Sequence, residues 1–319
     1  MSLLSAEGRL EAFEGATEWL NSEPLAPADL RGRVVLVDFW TFTCINWIRT
    51  APYRRAWDER YREHGLTIIG VHTPEFPFER DVESIRASID ERQLTYPVAV
   101  DSDYAIWNAF ANNYWPALYL ADGESTIRYH HFGEGRYDES ERAIQELLDV
   151  NGDIAPVEAE GIEAAADWAA VRTPETYLGY ERGEHFASPG RAALGERHAY
   201  ETRLPLRLNH WALSGDWTID RKAVRSHDAE GRLTFHFSAR DVNLVMGPAE
   251  GEGPIPFRVR LDGSEPGEAS GADIDERGDG LAENRRLYQL VRQPGAVDDR
   301  VFEITFLTLG AEAYVFTCG

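Results

Sequence analysis

Over the first 150 residues, short apolar runs alternate with stretches of helical spacing. Val34 to Phe39 (VVLVDF) and Leu66 to Val71 (LTIIGV) are rich in Val and Ile. Such near-continuous runs predict strands buried on both faces. Val98–Val100, Ala117–Ala121 and Thr126–His130 predict three more strands, the last two joined by the turn Asp122-Gly123. Helices are predicted over Cys44–Tyr61, Asp81–Gln93, Tyr104–Asn112 and Glu139–Asp149. Strands separated by helices predict an α/β domain over residues 1–150.

The pattern then changes twice. Residues 151–200 are rich in Glu, Ala, Gly and Pro and predict a linker, with one short helix at Glu163–Ala170. Residues 201–319 predict strands and turns only. Leu233, Phe235 and Phe237 alternate with more polar neighbours, as do Phe257, Val259 and Leu261, and Phe302, Ile304 and Phe306. Tyr314, Phe316 and Cys318 are expected to share one face of a last strand. Gly263–Gly280 is acidic, rich in Gly and expected to loop. Short alternating strands with turn signals predict an all-β sandwich.

Composition removes several classes of function. Apolar residues make up 43% of the 319, enough to fill sizeable cores, so disorder is excluded. No segment reaches the roughly 18 apolar residues of a membrane span. With 55 acidic and 32 basic residues the net charge is -23, which opposes phosphate backbones, so nucleic acid is not an expected partner. Two cysteines, Cys44 and Cys318, supply neither a multi-bridge scaffold nor a thiolate zinc cage. The adjacent His130 and His131 point to opposite faces of a strand, a poor chelate, so no metal is expected. Gly133-Glu134-Gly135 is a turn rather than a dinucleotide fingerprint, and no cofactor is expected. The N-terminus lacks the basic start and apolar core of a secretory signal, which points to the cytoplasm.

The chemistry concentrates in VVLVDFWTFTCINWIRTAP. A buried strand ends at Trp40, a short loop follows, and Cys44 opens a helix that contains Pro52. A thiol at a helix start faces unpaired amides and the positive end of the dipole, which favours thiolate and a pKa below the free value of about 8.5. A lone cysteine also reads as a small buried hydrophobe. Its surroundings decide for the reactive reading, because they resemble the thioredoxin superfamily in its TlpA-like, DipZ-type branch. The resemblance is carried by the loop and by GVHTPEF, YWPALYL, HFGEG, TPETYLG and the ending RLYQLV…AYVFTCG, and it extends over nearly the whole chain.

The resemblance implies a thioredoxin-like domain followed by a jelly roll similar to carbohydrate-binding modules. It makes Cys44 the nucleophile, Asp38 the buried acid that assists proton transfer, and Pro116 the cis-proline that shapes the substrate groove. Trp40, Thr41, Thr43, Trp47 and Trp115 are then expected to border substrate. Protein or low-molecular-weight thiols and disulfides are the implied partners. It also implies a place outside the cytoplasm, beside a membrane electron carrier, with any signal removed. Apart from the resemblance, His72 follows a strand end, with Glu75 nearby, and is a candidate to line the site, with a hydrogen-bonded structural role favoured.

Two residues depart from the family. The second motif cysteine is replaced by Trp47 in Cys44-Ile45-Asn46-Trp47, which removes the internal thiol that releases a mixed disulfide. Cys318 stands where an aromatic is usual, and its alternation with aromatics favours core burial. Three readings follow: a monothiol oxidoreductase recycled by an external thiol, a redox-inactive binding or scaffold protein, and a one-cysteine peroxidase in which Thr41 orients peroxide. The packing role of Trp47, against Trp40 or Trp115, is favoured over substrate contact. In the β domain, Trp211 and Trp217 are candidates to stack on a glycan, with core burial favoured. Arg285-Arg286 are candidate contacts for a partner carboxylate, with a solvated face favoured.

Overall fold

A computed structural model of the chain describes residues 4–11, 13–150, 157 and 166–319. They fall into two units, Met1–Ala164 and Ala165–Gly319. Of the helix expected at 163–170, residues 163–165 lie outside the described residues, and the described 166–170 are not helical, with a turn at 168–170.

In the first unit the order is β1 (Gly8–Arg9), β2 (Glu18–Leu20), β3 (Val34–Trp40), α1 (Ile45–Tyr61), β4 (Leu66–His72), α2 (Val82–Glu91), β5 (Val98–Val100), α3 (Ala105–Ala109), β6 (Ala117–Ala121), β7 (Thr126–Phe132) and α4 (Tyr137–Leu147). One sheet runs β1-β7-β6-β3-β4-β5-β2. The run at Val34 becomes its centre: β3 pairs in parallel with β4 and antiparallel with β6, and every β3 residue is buried. β1 and β2 are short edge strands without an apolar pattern to announce them. The paired ends of β3 and β4, Trp40 and His72, meet at the sheet's carboxyl edge. That is where open α/β sheets place functional groups.

In the second unit the strands are β8 (Thr176–Tyr177), β9 (Arg197–Tyr200), β10 (Trp211–Ile219), β11 (Val224–Ser226), β12 (Gly231–Ser238), β13 (Asp241–Pro248), β14 (Ile255–Leu261), β15 (Asp279–Ala282), β16 (Arg286–Arg292), β17 (Asp299–Phe306) and β18 (Ala311–Cys318). The expected all-β unit is therefore present. Strands also begin inside the stretch expected to be a linker, since β8 pairs with β18 and β9 with β10.

One 11-stranded sheet runs β15-β14-β17-β12-β10-β11-β18-β13-β16, with β8 on β18 and β9 on β10, and β10 changes partner along its length. Trp211–Ser214 pair with β12, and from Gly215 onward the strand pairs with β9. Gly215 sits at the switch with φ +98, a conformation that L side chains rarely adopt. Gly215→Ala is expected to lower the unfolding free energy by about 1–3 kcal/mol. Urea denaturation of the two proteins measures the difference.

Phe235, Phe302, Phe316 and Cys318 join the core of this unit, and so do Trp211 and Trp217. With 1% and 0% exposure, neither tryptophan offers a face to a sugar ring. Tyr314 departs from its expected face. The register shifts there, so that Val245 faces Val315 while Met246 faces Ala313. A bulge adds one unpaired residue and breaks the period of two. Tyr314 thus stands outside the cluster that holds Phe316 and Cys318. Arg285 and Arg286 face Glu312 and Asp273 at 4.0 and 2.6 Å.

Candidate functional site

The loop after β3 is closed by its own backbone. The Cys44 amide donates to the Thr41 carbonyl at 3.2 Å, and the Ile48 amide donates to the Cys44 carbonyl at 2.9 Å. Cys44 is therefore the N-cap of α1, with extended φ and ψ of -76 and 108. Its side chain stands at the helix end where amides lack partners, and the first turn holds no acidic residue to oppose a thiolate. Cys44 is half-buried, and its thiol points at the Trp115 carbonyl at 3.7 Å. The Trp115–Pro116 peptide bond is cis, so the sulfur faces the cis-proline turn that the sequence pointed to.

Trp47, one helical turn on, is wholly buried. Its ring stacks on Trp40 with centroids 4.1 Å apart and planes at 20°. Its indole N–H donates to Asp38 Oδ2 at 2.9 Å. Arg54, two turns further along α1, donates from Nε to Asp38 Oδ1 at 2.9 Å. Both ends of this ion pair are buried. The acid expected to move protons is thus held by a guanidinium on one oxygen and by the replacement residue on the other.

Thr41 and Thr43 also turn inward. Thr43 Oγ1 donates to Glu79 Oε1 at 2.5 Å, and Thr41 Oγ1 lies 3.5 Å from His72 Nε2. The other Glu79 oxygen accepts the amides of Glu75 and Phe76 at 2.6 and 2.8 Å. Burial raises the Glu79 carboxyl to about 7, against opposing hydrogen bonds from Thr41 and Thr43. Burial lowers His72 to about 3, so its imidazole is neutral at physiological pH. At the centre of this buried cluster stands Glu79, which the sequence reading did not single out. EFPFER carries a weak signal for it: a Glu shortly after a strand end, between aromatics.

Of the five residues expected to border substrate, four face inward. Trp40, Thr41, Thr43 and Trp47 are 0–2% exposed and form the floor beneath the loop. Each either fills the core with an indole or spends its hydroxyl on a buried acceptor or ring nitrogen. Trp115 alone is partly exposed, packed on Trp107 at 4.1 Å. Beside it stands an exposed aromatic pair that the sequence reading missed. Tyr114 and Phe132 lie 4.8 Å apart and are 53% and 39% exposed. The Gly133 amide, donating to the Pro116 carbonyl at 2.9 Å, ties Phe132's end of β7 to the cis-proline turn.

The second cysteine has a different environment. Cys318 is buried in the β core, where desolvation pushes its thiol far up. Such a thiol supplies almost no thiolate. His130 pairs with Glu7 at 2.8 Å and His131 donates from Nε2 to the Glu134 carbonyl at 3.3 Å. Among the described residues no group of His, Cys, Asp and Glu is arranged to hold a metal ion, and no helix is long and apolar enough to cross a membrane.

A cysteine at the N-cap of the first helix, a cis-proline opposite it, and a central strand between a parallel and an antiparallel neighbour define a thioredoxin-like α/β unit, here followed by an all-β unit. Residues 11–130 match the AhpC/TSA family, and residues 173–319 match the thioredoxin-like C-terminal domain family. The chain is homologous to DipZ and to ResA-type thiol-disulfide oxidoreductases. It is 34% identical to protein DipZ of Mycobacterium tuberculosis over 249 residues, 76% of this chain and 36% of DipZ. It therefore spans about a third of that relative's length. The thiol-disulfide oxidoreductase YkuV of Bacillus subtilis is 28% identical over 134 residues, 42% of this chain and 90% of YkuV. A solved thiol-disulfide isomerase from Corynebacterium glutamicum is 27% identical, covers 44% of this chain and 95% of its own, and superposes with a TM-score of 0.39.

Proposed function

We propose that the first unit is a thiol-disulfide oxidoreductase that works through Cys44 alone. The observation that carries this reading is the contrast between positions 44 and 47: a half-buried sulfur at a helix start, facing the cis-proline turn, and a buried indole where a second thiol would stand. The Cys44 thiolate attacks one sulfur of a disulfide R–S–S–R′. The S–S bond breaks, R′–S⁻ leaves and Cys44–S–S–R forms. A thiolate from outside the motif, R″–S⁻, then attacks the sulfur of R. This gives R–S–S–R″ and restores the Cys44 thiolate. A low-molecular-weight or protein thiol supplies R″ in either compartment. Trp115, Tyr114 and Phe132 offer an apolar border for the disulfide-bearing partner, and Pro116 shapes the turn facing the sulfur.

The inward turn of Thr41 weighs against the peroxidase reading. Its hydroxyl is buried toward His72 and Glu79 and is not free to orient peroxide over Cys44.

The test is the alkylation rate of Cys44 by iodoacetamide against pH, together with reduction of a mixed disulfide in the presence of added thiol. The expected midpoint lies below about 8.5, and Cys44→Ser removes both activities. A midpoint at the free-thiol value with no mixed-disulfide reduction leaves the unit a thioredoxin-like binding module.

A further inference from the structure

The Cys44 loop has a buried acid behind it that the exchange chemistry just described does not use. Glu79 is 0% exposed. Its carboxylate reaches the residue immediately before the nucleophile through the Thr43 hydroxyl at 2.5 Å, and its other oxygen is fixed by the amides of Glu75 and Phe76. It thus ties the turn at 75–80 to the turn that presents the sulfur. Asp38, the acid on the strand, is neutralised by Arg54. Glu79 forms no ion pair among the described residues.

We propose that Glu79 is the positioning residue of the Cys44 loop, and that its ionisation sets the reactivity of the Cys44 thiol. This rests on the reading of Cys44 as the working nucleophile. When Glu79 is ionised, Thr43 is held by a charge-assisted bond, and a negative charge lies one hydrogen bond from the residue that precedes Cys44. That charge opposes formation of a second anion nearby, so the two groups titrate as a coupled pair.

The groups around Glu79 do not cancel its charge. On β4, His72 is neutral because burial lowers its pKa. In the same turn, Glu75 adds a like charge that raises Glu79 further. Ahead of α3, burial raises the Tyr104 phenol and Glu79 adds to the rise, while its hydroxyl donates to the Pro74 carbonyl. At the end of β5, Asp101 accepts Thr73 and the amides of Ile106 and Trp107. Arg80, the nearest cation in sequence, is half-exposed and faces Asp103 at 3.8 Å. With Glu79 raised to about 7 by burial, the coupling operates around neutral pH.

The experiment is the pH profile of Cys44 alkylation in the wild type and in Glu79→Gln. The carboxamide keeps an oxygen for Thr43 and removes the charge. The wild type is expected to show two steps. Glu79→Gln is expected to show one, with its midpoint about 1 pH unit lower. A Glu79 that only braces the turn leaves the two profiles superimposed, which overturns the proposal. Should Glu79→Gln fail to fold, the ¹³C titration of the Glu79 carboxyl in the wild type and in Cys44→Ser reads the same coupling from the other side. Its midpoint is expected to fall when the thiolate is absent, and an unchanged midpoint overturns the proposal. A wild-type Cys44 inert at every pH counts instead against the oxidoreductase reading. A reactive Cys44 with a profile indifferent to Glu79 counts only against the coupling.

Discussion

Trp47→Cys is expected to turn the single-thiol loop into a dithiol that oxidises internally. Positions 44 and 47 are the cap and the third residue of α1, and residues three apart on a helix have Cβ atoms about 5–6 Å apart. A disulfide needs Cα atoms about 4.4–6.8 Å apart, so the bridge closes without moving the strand. Under mild oxidant the variant loses two hydrogens by mass and both thiols become resistant to alkylation. The reduced variant resolves its mixed disulfide in a single turnover without added external thiol, because the new Cys expels the bound partner and closes the 44–47 disulfide. In the wild type the same step scales with external thiol concentration. A variant that folds but never oxidises shows that the loop does not have the geometry described above.

The same substitution carries a large stability cost. Trp47 is wholly buried, and cutting a buried indole to a small side chain costs about 3–5 kcal/mol. The bond to Asp38 is lost as well, although Arg54 still holds the carboxylate. A four-residue disulfide loop restores about 2 kcal/mol by restricting the unfolded chain. The reduced variant is therefore expected to melt well below the wild type, and the oxidised variant to regain part of the difference. Thermal unfolding with and without reductant separates the two. The sign of that gap distinguishes a bridge that fits from one that strains the turn.

What the sequence made legible was set by how local each signal is. The VVLVDF and LTIIGV runs gave β3 and β4 because a strand buried on both faces cannot hide its pattern. β1 and β2 escaped because two or three residues at a sheet edge carry no period. Cys44 was legible as a thiol at a helix start, and Pro116 only through the family resemblance. The inward turn of Thr41 and Thr43 was not, because it depends on Glu79, which lies more than thirty residues away in sequence. The stacking of Trp47 on Trp40 was among the expected partners, whereas its bond to Asp38 was not foreseen. Nor was Arg54: within the pattern of α1 a buried arginine looks like any surface arginine until its partner is seen. The Tyr314 bulge is a similar case, since one unpaired residue reverses an alternation that the sequence presents as regular.

Arg54→Met is expected to be the most damaging single change in the first unit that leaves the thiol in place. Removing one partner of a buried ion pair leaves the other charge uncompensated and costs about 3–5 kcal/mol. Asp38 would keep only the Trp47 indole, which cannot offset a buried negative charge. Urea denaturation at neutral pH measures the loss. Adding Asp38→Asn to Arg54→Met removes the charge and keeps an oxygen for the Trp47 N–H. It is expected to restore most of the loss. If Arg54→Met alone unfolds no more easily than the wild type, the buried Arg54–Asp38 pair does not stabilise the first unit.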